Sequence, residues 1–298
     1  MIINQSNLST LFKSFLASFK RGMMSRQDEQ EWQRIATLAP SNTKTNEYGW
    51  LGQFPSLRKW VGERQVKNLE QHGYSIKNEK YEATVGVDRD DVEDDNLGVY
   101  TPVFQEMGVS AGLWPNEVVY ALIALGETEL CYDKKPFFAT DHPENGTTAS
   151  NLLGSGGTAP WYLLDTSRAL KPFIFQRRAA PEIVNKNNVQ RDDHVFFHDE
   201  FLYGARARGA AGFGFWQMAL KHKGDLDQVN FDAAMTAMGQ RVNDEGQTMG
   251  IRPDLLVVPW SLRSDAKALL QKEYLANGES NYNYDAIKVL ITNYLPNA

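Results

Sequence analysis

Near the N-terminus, apolar residues recur at helical spacing. Leu8, Leu11, Phe12, Phe15, Leu16 and Phe19 follow the i, i+3, i+4, i+7 rule, which predicts an amphipathic helix. Its cations Lys13, Lys20, Arg21 and Arg26 all precede the first acidic residue, Asp28. Such a helix either packs on its own domain or serves as an arm on a neighbouring subunit, its basic side toward something anionic. The period then changes. Tyr81, Ala83, Val85 and Val87 alternate with Glu82, Thr84, Gly86 and Asp88, a strand with one apolar face. Upstream, Tyr48, Trp50, Phe54 and Trp60 are separated by turn-forming Gly49, Gly52, Pro55 and Gly62, and residues 77–80 make a further turn. Residues 46–87 thus read as a long, aromatic-rich hairpin excursion. A two-stranded ribbon is marginal alone in water, so this one folds back on the core or lies on another chain, and the second option fits an assembling protein.

An acidic run, Asp88, Asp90, Asp91, Glu93, Asp94 and Asp95, comes before a helix predicted over about 99–130. Carboxylates suit a helix N-terminus, and Asp94, Asp95 or Asn96 is the expected cap. Pro102 fits a first turn, whereas Pro115 is expected to kink or break the helix. Residues 140–159, rich in Gly, Ser, Thr and Asn, read as a loop. Residues 161–176 and 193–208 read as strands joined through Pro181 and an Asn-rich turn. A helix is expected over 232–246, capped by Asp232 or Asn230, then a short buried strand at 255–258, a helix at 261–275 and a strand at 287–291. No internal repeat is evident, and the mixture is α+β.

Composition narrows the function. The chain has 298 residues, 42% of them apolar, so it has ample material for a core. A net charge of −6 argues against a dedicated nucleic-acid binder. The single cysteine, Cys131, permits no intramolecular disulfide and suits a reducing cytoplasm. No apolar run approaches the ~20 residues that span a bilayer, and the N-terminus has no secretory signal pattern, so no membrane partner is expected.

Candidate chemistry is thin. His194 and His198 stand four apart before Asp199 and Glu200, but the zinc-protease pattern is absent, and Val195, Phe196 and Phe197 favour a strand with surface histidines. Asp141, His142 and Glu144 lie near Cys131, yet a thiol enzyme needs a base and an orienting group converging on sulfur, and nothing local secures that. Cys131 is expected to be a small buried hydrophobe. Gly154, Gly156 and Gly157 lack the Lys-Ser/Thr of a phosphate loop. Gly204, Gly209, Gly212 and Gly214 point to closely packed backbones. The acidic run lacks the glycine and distal glutamate of a calcium loop. No catalytic, cofactor or metal site is expected.

Longer words are more specific. Asn46-Glu47-Tyr48-Gly49-Trp50-Leu51-Gly52 with Phe54-Pro55, Trp60-Val61-Gly62, His72-Gly73-Tyr74-Ser75-Ile76 and Phe104-Gln105-Glu106-Met107-Gly108 resemble the Mu-like phage major head subunit family. So do Arg89-Asp90-Asp91 with Glu93-Asp94-Asp95-Asn96-Leu97-Gly98, Leu163-Leu164-Asp165-Thr166-Ser167-Arg168, Lys171-Pro172 with Phe175-Gln176-Arg177-Arg178, and Ala211-Gly212-Phe213-Gly214-Phe215-Trp216-Gln217.

The resemblance runs from about the first helix to the C-terminus and implies the tailed-phage capsid fold of the Hong Kong 97 type. On it, 1–45 is an N-terminal arm, 46–87 an extended β-hairpin loop lying across a neighbouring subunit, 88–224 a peripheral domain with a long spine helix, and 225–298 an axial domain. Tyr48, Trp50, Phe54, Trp60, Tyr74 and Tyr81 are the expected inter-subunit residues. Lys13, Lys20, Arg21 and Arg26 are the candidate DNA-facing arm, offering sequence-independent phosphate contacts, although inter-subunit salt bridges explain the same charges. The implied product is an icosahedral head of hexamers and pentamers enclosing double-stranded DNA. It would be made in the host cytoplasm with a separate scaffolding protein, a portal and a decoration protein as partners. The alternatives are an encapsulin-like cellular compartment shell of the same fold, and a hydrolase using Cys131, His142 or the His194–His198 pair.

Overall fold

The computed structural model describes residues 2–49, 51, 73–94, 96–157, 159–188, 192–243, 246–275 and 278–297. The predicted amphipathic helix is α1 (Gln5–Ser25), started by the Asn4 side chain accepting from the Asn7 amide. It is followed by α2 (Trp32–Ile35), β1 (Ala36–Pro40), β2 (Thr45–Glu47), β3 (Ser75–Lys77), β4 (Glu79–Asp88), α3 (Arg89–Glu93) and the long α4 (Tyr100–Ala124). The expected caps are displaced. Asp88 caps α3 by accepting from the Asp90 amide. Asp91 takes the Tyr100 hydroxyl at 2.5 Å and the Asn96 amide at 3.0 Å, and α4 begins without a side-chain cap.

Pro115 does not break α4, contrary to the expectation. A proline leaves helix carbonyls one turn back without donors. Here the Gln30 side-chain amide donates to the Gly112 carbonyl at 2.7 Å, and the Asn116 side chain accepts from the Trp32 amide at 2.9 Å. The segment after α1 therefore splints the helix where the proline weakens it.

Further along come β5 (His142–Glu144), β6 (Thr147–Ala149), β7 (Leu152–Leu153), β8 (Trp161–Leu164), β9 (Phe173–Lys186), α5 (Asp193–His198), β10 (Glu200–Phe213), β11 (Ala219–His222), α6 (Gln228–Gly239), β12 (Leu255–Pro259), α7 (Arg263–Leu270) and β13 (Lys288–Thr292). Several expectations are corrected. Residues 140–159 hold the β5–β6 hairpin and β7. Residues 193–198 form a helix that stops at Asp199, in left-handed backbone at φ 53°. Proline 181 lies inside β9 where the β9–β10 register shifts, a position that needs no ladder amide. Helix α6 is capped by Asp227, whose side chain accepts from the Asn230 amide, and starts before residue 232.

The strands form a four-stranded sheet ordered β1-β9-β10-β4 and a five-stranded sheet ordered β13-β12-β8-β11-β7. β4 thus pairs with β10, far downstream in the chain, and not with a hairpin partner of its own loop.

 The facing residues Val87 and Phe201 are therefore 114 positions apart in the chain. One face of this sheet carries α1 and α4, with Phe15 stacked on Phe104 at 4.0 Å and edge-on to Tyr203 at 5.1 Å. The two helices touch backbone to backbone. A Cβ on Gly108 would stand 2.0 Å from the Phe19 carbonyl oxygen. The five-stranded sheet carries α6 and α7, and a shared core of Phe175, Phe213, Tyr162 and Leu255 joins the two sheets. The division expected after residue 224 passes through the five-stranded sheet, which takes β7, β8 and β11 from before it and β12 and β13 from after.

Candidate functional site: the assembly surfaces

The ends of the aromatic excursion are anchored in the chain's own core. Strands β2 and β3 pair antiparallel, Asn46 opposite Ile76, and the Tyr48 amide donates to the Tyr74 carbonyl at 2.7 Å. The Tyr48 hydroxyl donates to Gln176 Oε1 at 2.7 Å, and Gln176 Nε2 donates to the Ile76 carbonyl at 3.2 Å. The Phe213 amide donates to the Tyr74 hydroxyl at 2.8 Å. Burial pushes the Tyr48 phenol up and that of Tyr74 up to about 12. A Cβ on Gly212 would lie 2.1 Å from Ile76 Cδ1, so the Ile76 side chain would have to move to admit one.

Of the six residues expected at a subunit interface, Tyr48 is buried within its own chain. Tyr74 is half-buried, and Tyr81 packs against Trp114 with ring centroids 5.0 Å apart. Trp50, Phe54 and Trp60 lie outside the described residues. Beside the anchored base runs a cleft of about 580 Å³ between α4 and β3–β4. Its wall includes the apolar Trp114, Val118 and Leu122, and its charged residues are Glu79, Glu117 and Glu129 with one cation, Lys77.

α1 packs on α4 of its own chain. Lys13, Lys20, Arg21 and Arg26 are all exposed, the helix contains no acidic residue, and Arg26 pairs with Glu29 at 2.6 Å.

The suspected chemical groups do meet, in an unproductive order. The Cys131 thiol donates to Asp133 Oδ1 at 3.0 Å, and His142 Nδ1 lies 2.6 Å from Asp133 Oδ2. His142 is also stacked on Trp216, with centroids 4.1 Å apart. The carboxylate thus stands between sulfur and imidazole, where a nucleophile would need the imidazole next to the sulfur. Burial, then the Asp133 charge, push the thiol far up. Burial alone would raise Asp133, but the bonds from His142 and Cys131 outweigh it and hold its carboxyl low.

Asp133 was not among the acids singled out from sequence. It reaches the site through a tight turn with Lys134 in left-handed backbone, while Asp141 pairs outward with Lys135 and Glu144 accepts from the Val242 amide. The three donor atoms lie within 4.8 Å of one another, close enough to hold a divalent cation, and each is engaged in the hydrogen bonds just given. His194 and His198 on α5 have ring centroids 4.5 Å apart, tilted by 35°, and His194 Nε2 lies 3.1 Å from Glu200.

Comparison with known proteins bears on the whole chain. A family model described as the Mu-like prophage major head subunit gpT matches residues 8–295. The major capsid protein of Escherichia phage Mu is 42% identical over 99% of this chain and 100% of its own length. A chain of the bacteriophage JBD30 procapsid superposes with a TM-score of 0.85 at 45% identity, covering 98% of this chain and 100% of that one. A chain of the JBD30 capsid decorated with minor capsid protein trimers gives 0.78 at 36% identity over 90% and 91%.

Proposed function

Because the chain belongs to the Mu-like major head subunit family and is a major capsid protein of a tailed phage, we propose that its copies build hexamers and pentamers of an icosahedral head. The chain is a homo-oligomeric component of the virion capsid with the Hong Kong 97-type fold, and it is a structural protein, not an enzyme. Its similarity to phage head chains sets the cellular-compartment alternative aside.

On this reading the extended loop of 46–87 lies across a neighbouring subunit; its residues 52–72 lie outside the described residues. The observation that carries this reading is the anchored base: β2 and β3 hold both ends of the segment side by side in the core. The segment carries Phe54 and Trp60 with Arg58, Lys59, Arg64 and Lys67 against Glu63 and Glu70. Apolar rings with a basic excess match the net acidic cleft beside α4, which we take as the neighbour's seat. The α4-backed sheet is the peripheral domain, α4 is its spine, and the five-stranded sheet with α6 and α7 is the axial domain.

Membership of the family supports synthesis in the host cytoplasm and a separate scaffolding protein and portal as partners. The JBD30 capsid decorated with minor capsid protein trimers supports a decoration protein as a further partner. Packaged DNA is met non-specifically through Lys13, Lys20, Arg21 and Arg26, which predicts strong salt dependence of any DNA binding.

The test is excision of 52–72 behind a short Gly-Ser link. Deleting all of 46–87 would be uninformative, because it removes β4 from the sheet. We expect a folded, soluble subunit that forms no closed particles in electron microscopy when scaffold is supplied. Normal shells from this variant would overturn the loop assignment.

A further inference from the structure

Three side chains able to ligate a metal meet between the end of α4 and β5, in a cluster that shell assembly does not call on. Cys131, Asp133 and His142 form the one such group of His, Cys, Asp and Glu among the described residues. They are brought together locally. The chain reverses over 131–135: the Cys131 amide donates to the Lys135 carbonyl, the Lys134 amide donates to the Cys131 carbonyl, and Lys134 takes left-handed backbone at φ 66°. The turn sets the Cys131 sulfur 3.0 Å from Asp133 Oδ1, and β5 brings His142 Nδ1 to within 2.6 Å of Oδ2.

The imidazole's other nitrogen decides what this cluster needs. His142 Nε2 lies 3.2 Å from the Phe137 carbonyl and 3.2 Å from Asn151 Oδ1. Asn151 is fixed in orientation, because its Nδ2 donates to the Phe137 carbonyl while its Oδ1 accepts from the Ala139 amide. Nε2 therefore faces two acceptors and carries the ring's proton. In a neutral imidazole Nδ1 then presents a lone pair, directed at the Asp133 carboxylate. Two acceptors so close repel, so a positive charge must lie between them, either a further proton or a metal ion. A histidine that donates from one nitrogen to a carbonyl is oriented as metal-ligating histidines are, with the other nitrogen left for the ion.

We propose that Cys131 Sγ, the Asp133 carboxylate and His142 Nδ1 form a zinc site. The donors select the metal: thiolate and imidazole suit the borderline-soft Zn²⁺, whereas Mg²⁺ and Ca²⁺ take oxygen. Oδ1 faces the sulfur and Oδ2 the imidazole, so a chelating Asp133 completes four donor atoms. On binding, Zn²⁺ displaces the thiol proton and the proton between His142 and Asp133, and both pass to solvent. Ion, thiolate and carboxylate then sum to zero, so no net charge is buried. The metal-free subunit keeps the hydrogen bonds described above. Lys134 and Asp141 beside the cluster are exposed, so an ion has a short way in. Bound there, it ties the turn after α4 to β5.

The test uses the full-length subunit, dialysed against a chelator and then titrated with Zn²⁺ or Co²⁺. One equivalent of zinc is expected to stay with the chain through gel filtration. Cobalt is expected to give the ultraviolet charge-transfer band of a thiolate-bound ion. Cys131 is the only cysteine, so that band has no other source, and the wild-type chain decides the point whether or not a variant folds. Cys131→Ser is expected to lose the band and to bind zinc at least about a hundredfold more weakly, since loss of an outer-shell partner alone costs about 10–100-fold. His198→Ala, which removes the exposed histidine pair of α5, is expected to change neither result. No retained zinc, cobalt bound without the thiolate band, or zinc lost with His198→Ala would overturn the site. None of these outcomes touches the shell reading, which rests on other residues.

Discussion

Asp133 stands between Cys131 and His142, and at the residue scale that order decides what the cluster does. A thiol bonded to a buried carboxylate stays protonated and unreactive. Cys131 should therefore react with a thiol reagent at pH 8 at least roughly tenfold more slowly in the folded subunit than in urea. Equal rates would show that the thiol is accessible. The folded Asp133 carboxyl lies below its unfolded value. Its contribution to stability is thus full above the ordinary carboxylate range, near pH 4, and is lost as pH falls through the folded value. Asp133→Asn should cost about 3 kcal/mol at pH 7, the order expected when one partner of a buried pair is removed. Melting temperatures measured against pH should show that gap narrowing below about pH 4. A gap that stays constant with pH would mean that the pair is not what the carboxylate stabilises.

At the element scale, α1 and α4 depend on having no side chain where they cross. The Cβ of Gly108→Ala would meet the Phe19 carbonyl, a backbone atom that cannot swing aside. The expected loss is about 1–3 kcal/mol in a denaturant titration, as for other overpacked sites. Gly239→Ala, with nothing within 4 Å of the new methyl, is the matched control and should change stability by no more than about 0.5 kcal/mol. Equal effects would remove close helix approach as the explanation. Helix periodicity was legible for α1, because its apolar stripe is wide and uninterrupted. The segment of α5 reads as a strand in the sequence and folds as a helix, because six residues with two outward phenylalanines carry no helical stripe. The persistence of α4 through Pro115 was not legible either, since the donor that relieves it, Gln30, is 85 positions away.

For the whole molecule, the two sheets share one continuous core. Phe137 stacks on Phe213 at 4.3 Å, and the cluster runs on to Tyr162, Leu255 and Leu290 of the second sheet. The free subunit should therefore unfold in a single cooperative transition, with calorimetry and near-ultraviolet dichroism coincident. Two resolved transitions would show that the sheets are independent domains. The same connectivity explains why a division at residue 224 looked natural along the chain but cuts a sheet in space. β8 enters the sheet beside β12, antiparallel, more than ninety positions before it in sequence, with Leu164 opposite Leu255.

The sequence by itself determined the α+β class, the first helix, the buried strands at 255–258 and 287–291, and, through long words of unusual composition, the family. Those properties are local: periodicity, burial propensity and word identity each need only neighbouring residues. Tertiary structure decided that β4 pairs with β10, that Tyr48 closes on Gln176 and that Asp133 bridges Cys131 and His142. Each of these depends on groups far apart in the chain or held by a turn. What selects them is the burial and hydrogen bonding of the folded whole, and no window of sequence contains that.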